Sequence, residues 1–258
     1  MSTIQFELKN SIGYVALNRP EKLNAFNREM ALELQDRLLA CDEEEFLRVV
    51  VLTGMGRAFS AGQDLSEFST TARPDFETVI GETYNPIIRL LKTIRKPVIC
   101  AVNGIAAGAG ANVALACDIV VAASSASFIQ AFSKIGLIPD SAGTFFLPRL
   151  IGLQKATALM MLGEKVTAAE AEKMGMIYAC YEDGELENKT NQLAEKLASM
   201  PTTALYLTRK ALMESSSNSL EEQLELEKKL QAKAGQTRDF VEGVSSFLEK
   251  RNPLFTGK

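Results

Sequence analysis

The 258-residue chain contains no histidine. A Ser-His-Asp or Cys-His nucleophile and any imidazole metal site are thereby excluded, and acid-base work must fall to Asp, Glu, Lys, Tyr or Cys. Against that background one carboxylate stands out. In IPDSAGT, residues 138 to 144, Asp140 follows a proline and sits among small residues that cannot shield it. Two roles are open to it: a single acid presented to a pocket, or, shared with Ser141, the cap of a helix starting near Ala142. The apolar neighbours Ile138, Pro139, Phe132 and Phe145 would desolvate the carboxylate and help it exchange protons near neutral pH.

Two glycine-rich segments offer backbone chemistry. NGIAAGAGAN, residues 103 to 112, matches neither the GxGxxG dinucleotide fingerprint nor a phosphate-binding P-loop. It does place small residues at a strand-to-helix transition, where amide N–H groups are unpaired and accessible, although tight helix packing explains the same glycines. FSAGQDL, residues 59 to 65, is not a nucleophile elbow, since Ala58 replaces the first glycine and no histidine exists to activate Ser60. A turn there would expose the N–H of Gln63. Two such donors converging on one oxygen form an oxyanion hole, and each supplies about 3 to 4 kcal/mol to a developing negative charge.

These segments need elements to hold them. Ile4 to Leu8 and Ile12 to Leu17 alternate apolar and polar residues around Asn10-Ser11, a hairpin pattern. Met30, Leu34 and Leu38 recur every four positions after Asn27, predicting a capped helix over 27 to 40. Strands follow at Arg48 to Leu52, Val98 to Val102 and Ile119 to Ala123, with helices over 79 to 95 and up to Leu115, and a polar stretch over 69 to 76 that reads as mobile. Strands alternating with helices argue for an α/β core. Beyond residue 163 the chain turns helical, with capping boxes at Thr167/Glu170 and Ser219/Glu222 and helices near 186–199, 202–215, 220–233 and 238–250. Leu220, Leu224 and Leu230 form an apolar stripe that needs a partner, with packing inside the chain as the simplest one.

Composition narrows the class. A net charge of −4 gives no electrostatic footprint for nucleic acid. The four cysteines show no CxxC pair, which predicts reduced, mostly buried thiols. The uncharged run 97 to 117 is long enough to span a membrane, but its asparagines and glycines favour a buried strand and helix. With no leader-like N-terminus, a cytoplasmic protein is expected.

The strings RPEKLNA (19–25), GRAFSAGQDL (56–65), KPVICAVNGIAAGAGANVALACDIVVAA (96–123), KIGLIPDSAGTFFLPRLIG (134–152) and FTGK (255–258) resemble the enoyl-CoA hydratase/isomerase, or crotonase, superfamily. The resemblance runs in order through nearly the whole chain. It implies an α/β spiral of strand-strand-helix repeats over residues 1–200, a helical trimerisation region over 201–258, and a coenzyme A thioester as substrate with no separate cofactor or metal. It further implies oxyanion-hole amides at Gln63 and Ala109. Contacts to the coenzyme are implied at Lys22, Leu23, Ala25, Ala61 and Asp64, and from a neighbouring subunit at Phe255 and Lys258. The assembly expected is a homotrimer or a dimer of trimers, without nucleic-acid or membrane partners.

The family's hydratases add water with two glutamates, and the corresponding positions here are Asn112 and Phe132. Asp140 falls where the double-bond isomerases carry their single acid. Within that branch, GQDL, YNPIIRLLK (84–92), AFSKIGLIPDSAGT and FTGK are most similar to isomerases acting on the ring 1,2-epoxide of phenylacetyl-CoA, which form an oxepin thioester and also shift a 3,4 double bond to 2,3. Such a substrate implies a wide aromatic pocket, for which Phe76, Tyr84, Phe132 and Phe145 are the candidates. Hydration, or acyl-CoA binding without catalysis, are the alternatives.

Overall fold

The computed structural model describes residues 2–68 and 75–258. Of the polar stretch expected over 69 to 76, residues 69–74 lie outside the described residues.

In chain order the elements are β1 (Ile4–Lys9), β2 (Ile12–Leu17), α1 (Arg28–Glu43), β3 (Val49–Gly54), β4 (Ala58–Ser60), α2 (Phe76–Val79), α3 (Asn85–Thr93), β5 (Val98–Val102), β6 (Ile105–Ala107) and α4 (Ala109–Leu115). They continue with β7 (Ile119–Ala123), β8 (Ser127–Ile129), α5 (Gly143–Ile151), α6 (Leu153–Leu162), β9 (Lys165–Thr167), α7 (Ala168–Lys173), β10 (Ala179–Tyr181), α8 (Leu186–Ala198), α9 (Thr202–Ser215), α10 (Leu220–Ala234) and α11 (Arg238–Glu249).

Asn10 and Ser11 close the β1-β2 hairpin at φ 50° and 63°, left-handed values at both turn positions that match the strand twist. The Asn27 side chain accepts the Met30 N–H at 3.0 Å and starts α1. β2, β3, β5, β7 and β10 then run parallel in one six-stranded sheet, order β1-β2-β3-β5-β7-β10. All five residues of β5 are buried, as expected of a parallel strand covered on both faces.

A second sheet, order β4-β6-β8-β9, was not legible in the sequence. Its strands are three residues long, too short for an alternation pattern. The two sheets advance together: β3 is followed by β4, β5 by β6 and β7 by β8, with one or two helices after each pair. This is the expected spiral of strand-strand-helix repeats. Helix α4 is buried along its whole length and packs against β4, β5 and β6. A Cβ on Gly110 would stand 2.6 Å from Ser60 Cβ, so only glycine allows that approach.

The helix expected over 79 to 95 is present but not uniform. It begins at Phe76 and passes through a π-helical turn at Ile80–Tyr84 before α3. Pro86 has no N–H to continue the ladder, and the Gln35 side chain takes up the freed carbonyls of Glu82 and Thr83 at 2.8 and 3.1 Å.

The C-terminal helices dock through few polar anchors. Arg209 of α9 pairs with Asp118 at 2.8 Å and donates to the Lys96 and Ile94 carbonyls. The buried Asp239 of α11 accepts the Thr256 and Gly257 N–H groups, both at 2.7 Å. Helix α10 buries no residue, and Leu220 and Leu224 remain 68% and 54% exposed. Leu230 is half-buried and faces Ala204 and Leu207 of α9, so packing inside the chain covers one end of the stripe and leaves Leu220 and Leu224 open. Among the described residues no helix is long and apolar enough to cross a membrane, and the run 97 to 117 folds as β5, β6 and α4. Cys41, Cys100 and Cys117 are buried free thiols, and Cys180 is partly buried.

Candidate active site

The carboxyl-terminal ends of β4, β6 and β8 open onto one cavity of about 260 Å³. That end of parallel strands is where α/β folds place their ligands, because the loops there leave N–H groups unpaired. Ala61, Gly62 and Gln63 follow β4, Gly108 and Ala109 follow β6, and Ala131 and Phe132 follow β8. Tyr84, Lys134 and Asp140 add polar side chains to the wall. A wider groove of about 770 Å³ between the first sheet and α8 holds none of the expected site residues.

The two donor loops are built alike. Gly62 has φ 89° and Gly108 has φ 52° with ψ −127°, conformations that L side chains rarely adopt. Phe26 clamps the first loop: its N–H donates to Gly62 O at 2.7 Å and its carbonyl accepts the Asp64 N–H at 2.8 Å. The intervening Gln63 N–H is left pointing away from that bridge. In the second loop the Gly108 N–H donates to Ile129 O at 2.9 Å, and Ala109 is the first residue of α4, with no upstream carbonyl for its N–H. Neither the Gln63 nor the Ala109 N–H has a partner among the described residues. The loops touch, since a Cβ on Gly62 would lie 3.5 Å from Ala109 N.

Asp140 is half-buried. Desolvation pushes its carboxyl above the ordinary range, against the opposing hydrogen bond from the Ser141 hydroxyl at 2.8 Å. A carboxylate raised in this way is a better proton acceptor and a readier donor near neutrality. The capping alternative fails. Helix α5 starts at Gly143 with no side-chain cap, and Ser141 points its hydroxyl at Asp140. Ser141 and Ala142 both hold positive φ, 50° and 57°, a left-handed pair that costs about 1–2 kcal/mol per residue and turns the chain so that Asp140 faces the cavity. Ile138 points out instead, 82% exposed, and Leu137 lines the wall in its place.

A family model described as Enoyl-CoA hydratase/isomerase matches residues 7–258. The chain belongs to the enoyl-CoA hydratase/isomerase family. It is 46% identical over 261 residues to the 1,2-epoxyphenylacetyl-CoA isomerase of Escherichia coli, covering 100% of both chains. It is 44% identical over 256 residues to a Rhodobacter capsulatus protein named "Probable enoyl-CoA hydratase", covering 99% and 98%. Among solved structures, the enoyl-CoA hydratase of Bacillus anthracis superposes with a TM-score of 0.92 at 34% identity, over 99% of this chain and 100% of that one. The crotonase resemblance and the expected fold are thus correct.

Within this enoyl-CoA hydratase/isomerase fold, the two positions expected to lack the hydratase glutamates have definite occupants. Asn112 is fully buried and donates from Nδ2 to the Asp140 carbonyl at 2.9 Å. Phe132 lines the cavity, its ring about 4 Å from where a Cβ on Gly108 would stand. Asp140 is the one carboxylate among the described lining residues.

The remaining candidates fall into three places. Ala61 lines the cavity, and its N–H donates to Leu23 O at 2.9 Å. That bond brings the turn of Lys22, Leu23 and Ala25 beside the first donor loop, although none of the three lines the cavity. Asp64 also lies outside the wall. Burial would raise its carboxyl, but hydrogen bonds from Ser66 and Arg19 outweigh this and hold it low, and its 3.0 Å pair with Arg19 staples the loop. Phe255 and Lys258 sit elsewhere, against α11 and Arg48, with Lys258 paired to Glu45 at 3.4 Å.

Of the aromatics, Phe76, Tyr84 and Phe132 line the cavity. Phe145 does not: it packs edge-on to Phe146 beneath the Arg149 guanidinium. Tyr84 has a second duty that the sequence did not suggest, its hydroxyl donating to Gln63 Oε1 at 2.6 Å while Gln63 Nε2 donates to Glu67 at 2.7 Å. Burial, then the charges of Asp140 and Glu67, push its phenol far above the ordinary value, so it stays protonated as a donor. Ile80 joins the wall from the same π-helical turn. No sequence signal marks that turn except Pro86.

Proposed function

We propose that this chain is an acyl-CoA isomerase that works through one carboxylate and a two-amide oxyanion hole. The reading rests on one observation: two unpaired N–H groups, on Gln63 and Ala109, share a cavity with Asp140 and with no second carboxylate among the described lining residues. The thioester oxygen accepts both N–H groups. Asp140 takes a proton from the carbon next to the thioester, the resulting dienolate spreads its charge onto that oxygen, and the protonated Asp140 returns the proton two carbons further along. A 3,4 double bond becomes a 2,3 double bond. No atoms or electrons are gained or lost, so the reaction calls for no cofactor beyond the coenzyme A carried by the substrate.

The full-length likeness to the Escherichia coli isomerase supports ring 1,2-epoxyphenylacetyl-CoA as the physiological substrate, within phenylacetate catabolism. The same acid serves there, removing the proton next to the thioester and returning one to the ring as the epoxide opens to the oxepin. Phe76, Tyr84 and Phe132 supply the flat apolar wall that such a ring needs.

Hydration is the less favoured reading. A positioned acid or base contributes about 10² to 10⁴ in rate, and the family's hydratases use two carboxylates where this cavity offers one. For the assembly we propose a cytoplasmic trimer or dimer of trimers. The exposed Leu220, Leu224, Phe240 and Phe247 support this, and so does the tail, whose Phe255 and Lys258 would reach the coenzyme of a neighbouring subunit. A substrate panel tests the function: ring 1,2-epoxyphenylacetyl-CoA, linear 3-enoyl-CoA esters and 2-enoyl-CoA with water, followed by mass spectrometry and ultraviolet absorbance. Isomerisation is expected, with hydration at least about a hundredfold slower than in a two-glutamate hydratase. Hydration at a comparable rate would overturn the assignment.

A further inference from the structure

We infer that Asn112, held by Gln130, is a positioning residue that fixes the Asp140 carboxyl relative to the Ala109 N–H; this rests on the function proposed above. Both ends of the Asn112 amide are assigned. Nδ2 donates to the Asp140 carbonyl at 2.9 Å, and Oδ1 accepts from Gln130 Nε2 at 2.8 Å. Asn112 and Gln130 are 0% and 4% exposed, so neither bond exchanges with bulk water.

The three parts that Asn112 joins are those whose spacing matters. It lies one turn into α4, whose first residue is Ala109, and its own N–H donates to Gly108 O at 3.2 Å. Gln130 directly follows Ile129, whose carbonyl holds the Gly108 N–H. On the other side the acid turn presses on the amide, since a Cβ on Gly143 would meet Asn112 Nδ2 at 2.3 Å. The turn itself carries Ser141 and Ala142 in the left-handed region. Such a conformation persists only when its surroundings over-determine it. Helix α5 holds the Ala142 carbonyl from one side, through the Phe145 and Phe146 N–H groups, and the side-chain bond that reaches the turn from another element comes from Asn112. An amide here serves the turn in two ways, as the donor that Asp140 O needs and as the acceptor that Gln130 needs, and a carboxylate in the same place provides only the second.

The prediction is a loss of turnover transmitted solely through Asp140. Asn112→Asp removes the donor at nearly constant volume, and an acid displaced by about 1 Å loses about a hundredfold in rate. The variant should therefore show kcat lowered tenfold or more in 3-enoyl-CoA isomerisation, with KM within threefold of wild type and a shifted pH profile of kcat. Combined with Asp140→Asn, it should add less than a further twofold, because residues acting as one unit are not additive. Gln130→Met, which withdraws only the support behind Asn112 and serves where Asn112→Asp does not fold, should lower kcat at least threefold with KM unchanged.

Normal kcat per folded enzyme in either variant would overturn the inference, and so would losses that multiply fully with Asp140→Asn. If Asp140→Asn alone leaves turnover intact, the function proposed above fails; if Asp140→Asn is inactive while Asn112→Asp turns over normally, only the positioning role fails.

Discussion

Gly62→Ala is the sharpest perturbation of the oxyanion hole, because its effect follows from geometry alone. At φ 89° the new Cβ stands 2.7 Å from the Ala107 carbonyl oxygen. Ordinary contact begins near 3.4 Å, so one loop must give way by about 0.7 Å (3.4 less 2.7) against a close-packed neighbour. Backbone strain of about 1–2 kcal/mol and overpacking of about 1–3 kcal/mol together predict a loss of about 2–5 kcal/mol. At about 2–4 °C per kcal/mol for a chain of this size, Tm falls by about 4–20 °C. The displacement acts on the residue before Gln63, so its N–H no longer converges with that of Ala109, and loss of one such donor lowers kcat about 10²- to 10³-fold. Thermal unfolding and steady-state isomerisation of 3-enoyl-CoA, normalised to folded protein, measure both. Gly184→Ala is the control: its Cβ would meet nothing within 4 Å, and both quantities should hold. A Gly62→Ala enzyme within threefold of wild-type kcat would refute the assignment of the Gln63 N–H.

Two further outcomes follow from the buried polar groups. Tyr84→Phe strands Gln63 Oε1 and should lower stability by about 1–3 kcal/mol, with a smaller loss of kcat than Gly62→Ala; unchanged thermal unfolding would show that the bond contributes nothing. Asp140 has a folded-state pKa raised above its ordinary 3.8 by burial, so the stability it contributes is present below the unfolded value and is lost as pH rises through the folded one. Asp140→Asn, uncharged throughout, should therefore unfold at a higher temperature than wild type at neutral pH, with the gain vanishing below about pH 4. A variant less stable than wild type at neutral pH would contradict this.

The sequence disclosed the repeating core because buried β-branched strands such as Val98–Val102 and capped helices such as α1 carry their own periodicity. It did not disclose the second sheet. Strands like Ala58–Ser60 are set by close backbone approach: a Cβ on Gly104 would lie 2.2 Å from Arg57 O, a constraint that only tertiary structure reveals. The donor loops were visible as glycines preceding Gln63 and Ala109, and their φ values were not. The lining of the site was legible only in part, because nearness in sequence is not nearness in space. The left-handed pair Ser141-Ala142 turns Asp140 inward, while Ile138 faces solvent and Phe145 packs edge-on against Phe146 of its own helix. The anchoring of Gln63 by Tyr84 depends on a π-helical turn, which leaves almost no trace in the amino-acid pattern.

The central claim is that one carboxylate moves the proton. Its most direct test is the isomerisation rate of purified Asp140→Asn on a 3-enoyl-CoA ester in deuterium oxide, with incorporation of deuterium into the acyl chain read by mass spectrometry. The amide is nearly isosteric and leaves both oxyanion donors in place, so KM should stay within threefold of wild type. Isomerisation should fall about 10²- to 10⁴-fold, and the deuterium that enters when the protonated Asp140 exchanges with solvent before returning its proton should fall with it. Proton exchange persisting at the wild-type rate would mean that another group does the chemistry.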